Sequence, residues 1–312
     1  MSALRAPSFT LRQLSYLIAA AEAGSIAAAS ARLHVSPSAV SEALHELDRA
    51  VGTPLTVRRR AQGVTLTSSG SKVIVQARQL LELAADLTAG VHGNEFELTG
   101  PITIACYPTL APVILPPLLA EFGRSHPNVQ LDILEVTHDH LAGRLESGEV
   151  DVAFVYGTQV PGAPLRRRLV ELPAHVLLPG SHPLADAASV RLEELADEDL
   201  ILLDAPPSSE HTLSLFAELG LTPRIRHRTA NYEAVRTLVG RQLGYGILVQ
   251  RITNDKSYEG YPVVMKEISP AVPPVGIDVI WSASTPTPAR VTALIEFSQT
   301  ISWHQPTQSS AA

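Results

Sequence analysis

The sequence predicts an α+β multi-domain chain: an N-terminal winged helix-turn-helix, a long linker helix, and a C-terminal α/β domain of two lobes. Three observations carry this prediction. Apolar residues at helical spacing, punctuated by capping residues, recur three times before Gly52. An apolar stripe at alternating spacings of four and three runs from Val73 to Val91. From about residue 99 onward, β-type and helical runs alternate in the order that builds a sheet covered by helices.

Thr10 and Gln13 form a capping-box pair, in which each side chain satisfies an orphan amide at a helix start. Leu11, Leu14, Leu17, Ile18 and Ala21 then give the first helix one buried face, and Gly24 ends it. Ser25 is placed to cap a second helix, whose Ile26, Ala29 and Leu33 point inward. His34-Val35 is a very short connection, after which Ser36 caps a third helix with Pro37 in its first turn. Val40, Leu44 and Leu47 form the inner stripe of that helix, leaving Ser38, Ser41, Glu42 and His45 outward. A helix held this way after a short turn is suited to the major groove. The β-leaning runs Leu55-Thr56-Val57 and Val64-Thr65-Leu66 flank Arg58-Arg59-Arg60, which reads as a hairpin wing carrying three cations toward phosphates. Each serine also reads as a plain cap, and the arginines as a solvated loop.

Residues 10–70 resemble the winged helix-turn-helix of LysR-type transcriptional regulators. The matching positions are Leu11-Arg12-Gln13-Leu14, Gly24-Ser25, Ala29, Leu33-His34-Val35-Ser36, Ala39-Val40-Ser41, Leu47, Gly52, Pro54-Leu55, Arg58 and Leu66-Thr67-Ser68-Ser69-Gly70. Three departures stand out: Pro37-Ser38 replaces Gln-Pro, Glu42-Ala43 replaces Arg-Gln, and Thr56 replaces Phe. A groove-facing Glu42 repels phosphate and can accept from a cytosine amino group. The expected contacts to double-stranded DNA are Ser25, Ser36, Pro37, Ser38, Ser41, Glu42, His45, Arg58, Arg59 and Arg60.

The chain of 312 residues carries 24 Lys/Arg against 31 Asp/Glu, a net charge of −7, which speaks against a general nucleic-acid binder. The imbalance is local: the first 70 residues hold seven Lys/Arg against four Asp/Glu, and the rest seventeen against twenty-seven. A basic reading head on an acidic body fits that split. No apolar run is long enough for a bilayer and no leader pattern is visible, so a cytoplasmic protein is expected. Cys106 is the single cysteine, which excludes an intramolecular disulfide switch; it reads as a strand-end packing residue or a lone thiol.

From Thr67 to about Gly90 one long helix is expected, with Val73, Ala77, Leu80, Ala84, Leu87 and Val91 as a heptad seam. The seam suits a dimer presenting two heads to a two-fold DNA site, or packing on its own domain. The expected domains are 1–67 for the head, 68–93 for the linker helix and 94–312 for the body. Within the body, lobe I covers about 99–168 and 271–305, and lobe II about 169–270.

In the body, Ile102–Ala105, Val129–Val136 and Val150–Tyr156 read as strands of a parallel sheet, with helices at Leu115–Phe122 and Leu141–Glu146. A second set follows the basic Arg166-Arg167-Arg168: strands at 175–178, 200–203, 224–228 and 246–250, with helices near 213–219 and 232–241. Val275–Trp281 and a helix from Pro288 return to the first lobe. Two such lobes joined by two crossovers, with Ser181-His182-Pro183-Leu184 and Gly244-Tyr245-Gly246, resemble the same family's effector domain, which is like type 2 periplasmic binding proteins. Ligands then bind outside the strand C-terminal ends, where helix N-termini favour anions. Thr109, Thr137, His138, Ser208, Ser209, His211 and Asn231 are the candidate effector contacts, each equally readable as a helix cap. Pro108-Thr109 resembles the family's ligand-carboxylate contact.

No P-loop, dinucleotide fingerprint or nucleophile elbow is present, and His138-Asp139-His140 lacks a third ligand at metal spacing. Neither catalysis nor a cofactor or metal is expected. The reading is a sequence-specific DNA-binding regulator controlled by a small molecule, expected to be an organic anion, between two lobes. A self-associating chain (tetrameric if it follows the family) and RNA polymerase as the partner of an activator complete it. The rival is a cytoplasmic small-molecule binding protein whose helical head docks a partner.

Overall fold

Caps and turns set the head. The computed structural model describes residues 7–59, 63–89, 98–158, 160 and 162–303, so Arg60 and Val91 lie outside the described residues. Helix α1 (Leu11–Ala23) opens on the capping box: the Thr10 amide donates to Gln13 Oε1 at 2.7 Å and the Gln13 amide to Thr10 Oγ1 at 3.2 Å. Gly24 ends it at φ 64°, and Ser25 caps α2 (Ile26–Leu33) by accepting from the Ala28 amide at 3.1 Å. The turn to α3 (Pro37–Val51) passes through His34 at φ 54°, and the Val35 amide bonds back to Ser30 O at 3.1 Å.

Strands β1 (Thr56–Arg59) and β2 (Gly63–Leu66) form the antiparallel wing. The wing docks on the end of α1, where the Val64 amide donates to Gly24 O at 2.7 Å. A Cβ on Gly63 would lie 2.1 Å from that same oxygen, and its φ is 77°, so only glycine fits. Leu14, Leu17, Val40, Leu44, Leu47, Leu55 and Val64 bury together as the head core.

Helix α4 (Ser68–Ala89) runs along α1. The expected seam divides here. Ala77 is 1% exposed inside the head core and Val73 packs beside it, so these two stabilise the chain's own head. Leu80 and Leu83, 42% and 53% exposed, are left outside that core. Val73, Ala77 and Leu81 form the face packed on the head, and Leu80 lies beside it.

The body begins with β3 (Gly100–Cys106), α5 (Ala111–Ser125), β4 (Val129–Glu135), α6 (His138–Glu146), β5 (Val152–Tyr156) and β6 (Leu165–Leu172). The second lobe follows with β7 (His175–Pro179), β8 (Ser189–Val190), β9 (Asp199–Leu203), α7 (Ser208–Glu218), β10 (Arg224–Thr229), α8 (Tyr232–Gly240), β11 (Gly246–Leu248) and β12 (Val263–Ile268). The chain then returns through β13 (Val275–Trp281) and α9 (Ala289–Thr300) to the first lobe.

The first sheet has the order β4-β3-β5-β13-β6, parallel through β5 but antiparallel at β13, so it is mixed rather than all parallel. The basic run Arg166–Arg168 is part of strand β6 at the sheet edge, where charged side chains are tolerated and discourage pairing with other chains. Arg168 pairs with the buried Asp278 across the ladder. The first crossover therefore follows Leu172 rather than Arg168.

In the second lobe β7 lies between β11 and β12, antiparallel to both. The parallel pair β9–β10 joins through Tyr245: the Ile201 amide donates to Tyr245 O at 2.8 Å and the Tyr245 amide to Asp199 O at 2.9 Å. Gly244 makes this approach possible at φ 146°, with a Cβ there only 2.1 Å from Asp199 O. Val249, just beyond β11, packs on the cores of both lobes.

Candidate DNA interface and effector cleft

Helix α3 buries Val40, Leu44 and Leu47, so its opposite face is free. Ser38, Ser41, Glu42, His45 and Arg49 line one shallow, open surface there. Arg49 extends the expected set, and its position four residues after His45 is the signal that would have found it. Pro37 is exposed in the first turn, while Ser36 spends its oxygen on the Ala39 amide at 3.2 Å and shares a bond with Ser38 Oγ at 2.9 Å. Ser25 likewise caps α2. Both serines are structural caps whose hydroxyl protons can still be donated outward. Arg58 and Arg59 stand opposite Val64 and Gly63 toward the hairpin tip.

In the body, the C-terminal ends of β3 and β5 lie side by side, with Cys106 level with Phe154. The turn beyond β3 carries Thr109, half-buried, and β5 ends in Tyr156, 4% exposed. Thr109 Oγ1 is 3.2 Å from Tyr156 OH. Gln250, 2% exposed and just past β11 of the other lobe, donates from Nε2 to the same phenol oxygen at 3.5 Å. The Tyr232 hydroxyl, at the start of α8, donates in turn to Gln250 O. Burial pushes the pKa of both Tyr156 and Tyr232 up, so the phenols stay protonated. The two lobes thus meet in a chain of neutral hydrogen-bonding groups from 109 to 232.

The remaining candidates sit at strand ends as expected but do different things. Thr137 is exposed at the N-cap of α6 without a side-chain cap bond, and His138 opens that helix. Ser208 starts α7, and Ser209, 7% exposed, bonds its neighbour Glu210 at 3.2 Å. Burial lowers the His211 pKa, and its Nε2 has no partner among the described residues. Asn231 caps α8, its Oδ1 accepting from the Ala234 amide at 3.0 Å. Among the described residues no hydrogen bond joins Thr109 to Ser208, Ser209, His211 or Asn231.

Tyr156, Gln250 and Tyr232 are the cleft residues that sequence reasoning passed over. A phenol ending an otherwise aliphatic strand, and a glutamine ending Gly246-Ile247-Leu248-Val249, were the available signals. Away from these groups, His175, the first residue of β7 and 0% exposed, has two ring nitrogens with no partner among the described residues. Desolvation first, then Arg251 and Arg236, lower its pKa to about 3. Cys106 is fully buried in the lobe I core and its pKa is pushed up by desolvation, so it is a packing residue with no thiolate character. Among the described residues no cluster of three or more His, Cys, Asp or Glu is placed to hold a metal, and no helix is long and apolar enough to cross a membrane.

Comparison with known proteins agrees with both ends of the molecule. Residues 11–71 match the bacterial regulatory helix-turn-helix of the lysR family, and residues 97–301 match the LysR substrate binding domain. The HTH-type transcriptional regulator TtuA of Agrobacterium vitis is 28% identical over 247 residues, covering 76% of this chain and 79% of that one. HinK, a LysR family transcriptional regulator from Pseudomonas aeruginosa, is 32% identical and covers 94% of this chain and 98% of its own, with a TM-score of 0.63. Full-length OxyR C199D from the same organism, 24% identical with a TM-score of 0.73 over 95% of this chain and 99% of its own, shares the fold. A helix-turn-helix with an open polar recognition face, carried on a two-lobed substrate-binding domain, makes this chain a member of the LysR family of DNA-binding transcriptional regulators.

Proposed function

We propose that the chain is a cytoplasmic, self-associating regulator that reads its operator through α3 and the wing. Ser38, Ser41, Glu42, His45 and Arg49 face base edges, while Arg58, Arg59 and Arg60 meet phosphates, with Ser25, Ser36 and Pro37 near the backbone. The observation that carries this is the single open surface those α3 residues share, none of which the head core uses. Leu80 and Leu83, with Ala84, Leu87 and Val91 further along, pair the linker helices of two chains, and two dimers assemble as a tetramer. The effector is an organic anion held at Thr109, Thr137 and His138 of one lobe and at Ser208, Ser209, His211 and Asn231 of the other. Its preference for the closed lobes shifts head spacing, and with it DNA bending and RNA polymerase access.

The test is binding to the chain's own upstream DNA across a salt series, with and without alanine at Arg58, Arg59 and Arg60. Specific binding is expected to weaken in the variant, and its salt slope to fall by ~0.9 for each phosphate that is no longer neutralised. Indifference of the intact protein to that DNA overturns the reading in favour of a binding protein whose head docks a protein partner.

A further inference from the structure

The hydrogen-bond chain between the lobes has a direction, and that direction dictates what Thr109 can offer a ligand. An amide nitrogen can only donate, so Gln250 Nε2 fills a lone pair on the Tyr156 oxygen at 3.5 Å. The phenol has one proton. Its other neighbour is Thr109 Oγ1 at 3.2 Å, a bond in which either oxygen can donate; with the phenol proton placed there, Thr109 is the acceptor. Thr109 then keeps its own proton for a group outside the chain, and successive donation polarises that hydroxyl further. At the far end the backbone carbonyl of Gln250 accepts from the Tyr232 hydroxyl, which fixes the glutamine's main chain from the second lobe.

We infer that Tyr156 and Gln250 are positioning residues that make Thr109 a dedicated hydrogen-bond donor, so that the cleft selects an acceptor such as a carboxylate oxygen over an ammonium group and senses its arrival in both lobes. The inference rests on the effector occupying the cleft at Thr109, and adds which residues set the polarity there. Tyr156 is 4% and Gln250 2% exposed, so neither reaches the ligand itself. Their influence passes through the Thr109 hydroxyl. A ligand that takes the Thr109 proton strengthens the bond from Tyr156, and through it the bond from Gln250, which draws the second lobe toward the first.

The test compares melting of the full chain for wild type, Thr109→Val, Tyr156→Phe, Gln250→Met and the double Thr109→Val/Gln250→Met. The last pair is repeated on the Tyr156→Phe background. Each protein is melted alone and with small carboxylates (acetate, benzoate, succinate) and the matching amines. Without ligand, Thr109→Val and Gln250→Met, both of which remove a partner of the Tyr156 hydroxyl, are expected to be non-additive by about 1–3 °C, and the non-additivity to vanish without the phenol hydroxyl. With ligand, carboxylates and not amines raise the wild-type Tm. Tyr156→Phe and Gln250→Met each weaken that response by about two- to tenfold in Kd and narrow the preference for carboxylates, and Thr109→Val abolishes it.

Additive Thr109→Val and Gln250→Met variants overturn the relay whatever the ligands do. Amines stabilising in place of carboxylates overturns its direction. A carboxylate response lost in Thr109→Val but unchanged in Tyr156→Phe and Gln250→Met overturns the positioning roles while supporting the cleft. Equal stabilisation of every protein places the ligand elsewhere and overturns the cleft reading. A panel that moves no protein overturns the carboxylate preference, with the relay then judged by the non-additivity alone.

Discussion

His175 provides the sharpest stability prediction. Its ring is fully buried, both nitrogens lack partners among the described residues, and its pKa is lowered from 6.5 to about 3. Two consequences follow for His175→Leu, an apolar side chain of similar volume. At pH 7 the folded chain no longer buries unpaired polar atoms, each of which costs about 1–3 kcal/mol, so the variant is expected to be more stable by a few kcal/mol at most and at least about 1 kcal/mol. The acid response also changes. Because the folded pKa lies below the unfolded one, the stability tied to neutral His175 is fully present well above the unfolded value of 6.5 and is lost as pH falls through it toward 3. The slope approaches about 1.4 kcal/mol per pH unit below pH 6, so between pH 7.5 and 5 the wild type loses about 2 kcal/mol that the variant retains. Urea unfolding followed by circular dichroism from pH 7.5 to 5 measures both effects. Asp199 and Glu259, held low by bonds from Arg224 and Arg241, titrate below this window. Asp151, raised by burial, titrates in both proteins and cancels in the difference. A variant less stable at pH 7, or one with the same acid slope as the wild type, would refute the reasoning.

Three further outcomes are expected. Arg236, 1% exposed, donates to Asn254 O and Lys256 O, each at 2.7 Å, and to Glu233; Arg236→Met should cost about 2–4 kcal/mol in urea unfolding and speed proteolytic nicking between residues 251 and 262. Gly244→Ala sets a Cβ 2.1 Å from Asp199 O at φ 146°; it should destabilise the second lobe by more than about 2 kcal/mol, whereas a neutral result in thermal melting would show that the Tyr245 bridge is dispensable. Leu80→Glu with Leu83→Glu should dissociate the assembly in sedimentation while the head still melts normally, and Ala77→Glu should unfold the head itself, because only Ala77 is buried within one chain.

Much of the head was legible because its determinants are local. Thr10 with Gln13, Ser25, and Ser36 with Pro37 act within one helical turn, and each forms the cap its spacing implies. Aliphatic strands such as Val152–Tyr156 and Val275–Trp281 were legible for a similar reason, since a run buried on both faces carries its own signature. Strand β6 was not, because the basic run Arg166–Arg168 carries no strand pattern of its own until Asp278 pairs with it from more than a hundred residues away. Short β12, Val263–Ile268, mixes Lys266 and Glu267 into an apolar run and becomes a strand only by pairing with β7 and β8. Asn231 forms the cap that its place before α8 implies.

What the sequence determined alone was the head with its recognition face, the long linker helix, two α/β lobes and the family they belong to. These follow from caps, periodicities and motifs whose interacting partners lie a few residues apart. Only the tertiary structure decided which heptad residues turn into the head and which stay exposed, and which polar groups meet between the lobes. Thr109, Tyr156, Gln250 and Tyr232 come from four separate stretches of chain. Their hydrogen bonds span up to 94 residues, so the pairing depends on how two sheets are set against each other, a relation that no spacing within one strand or helix records.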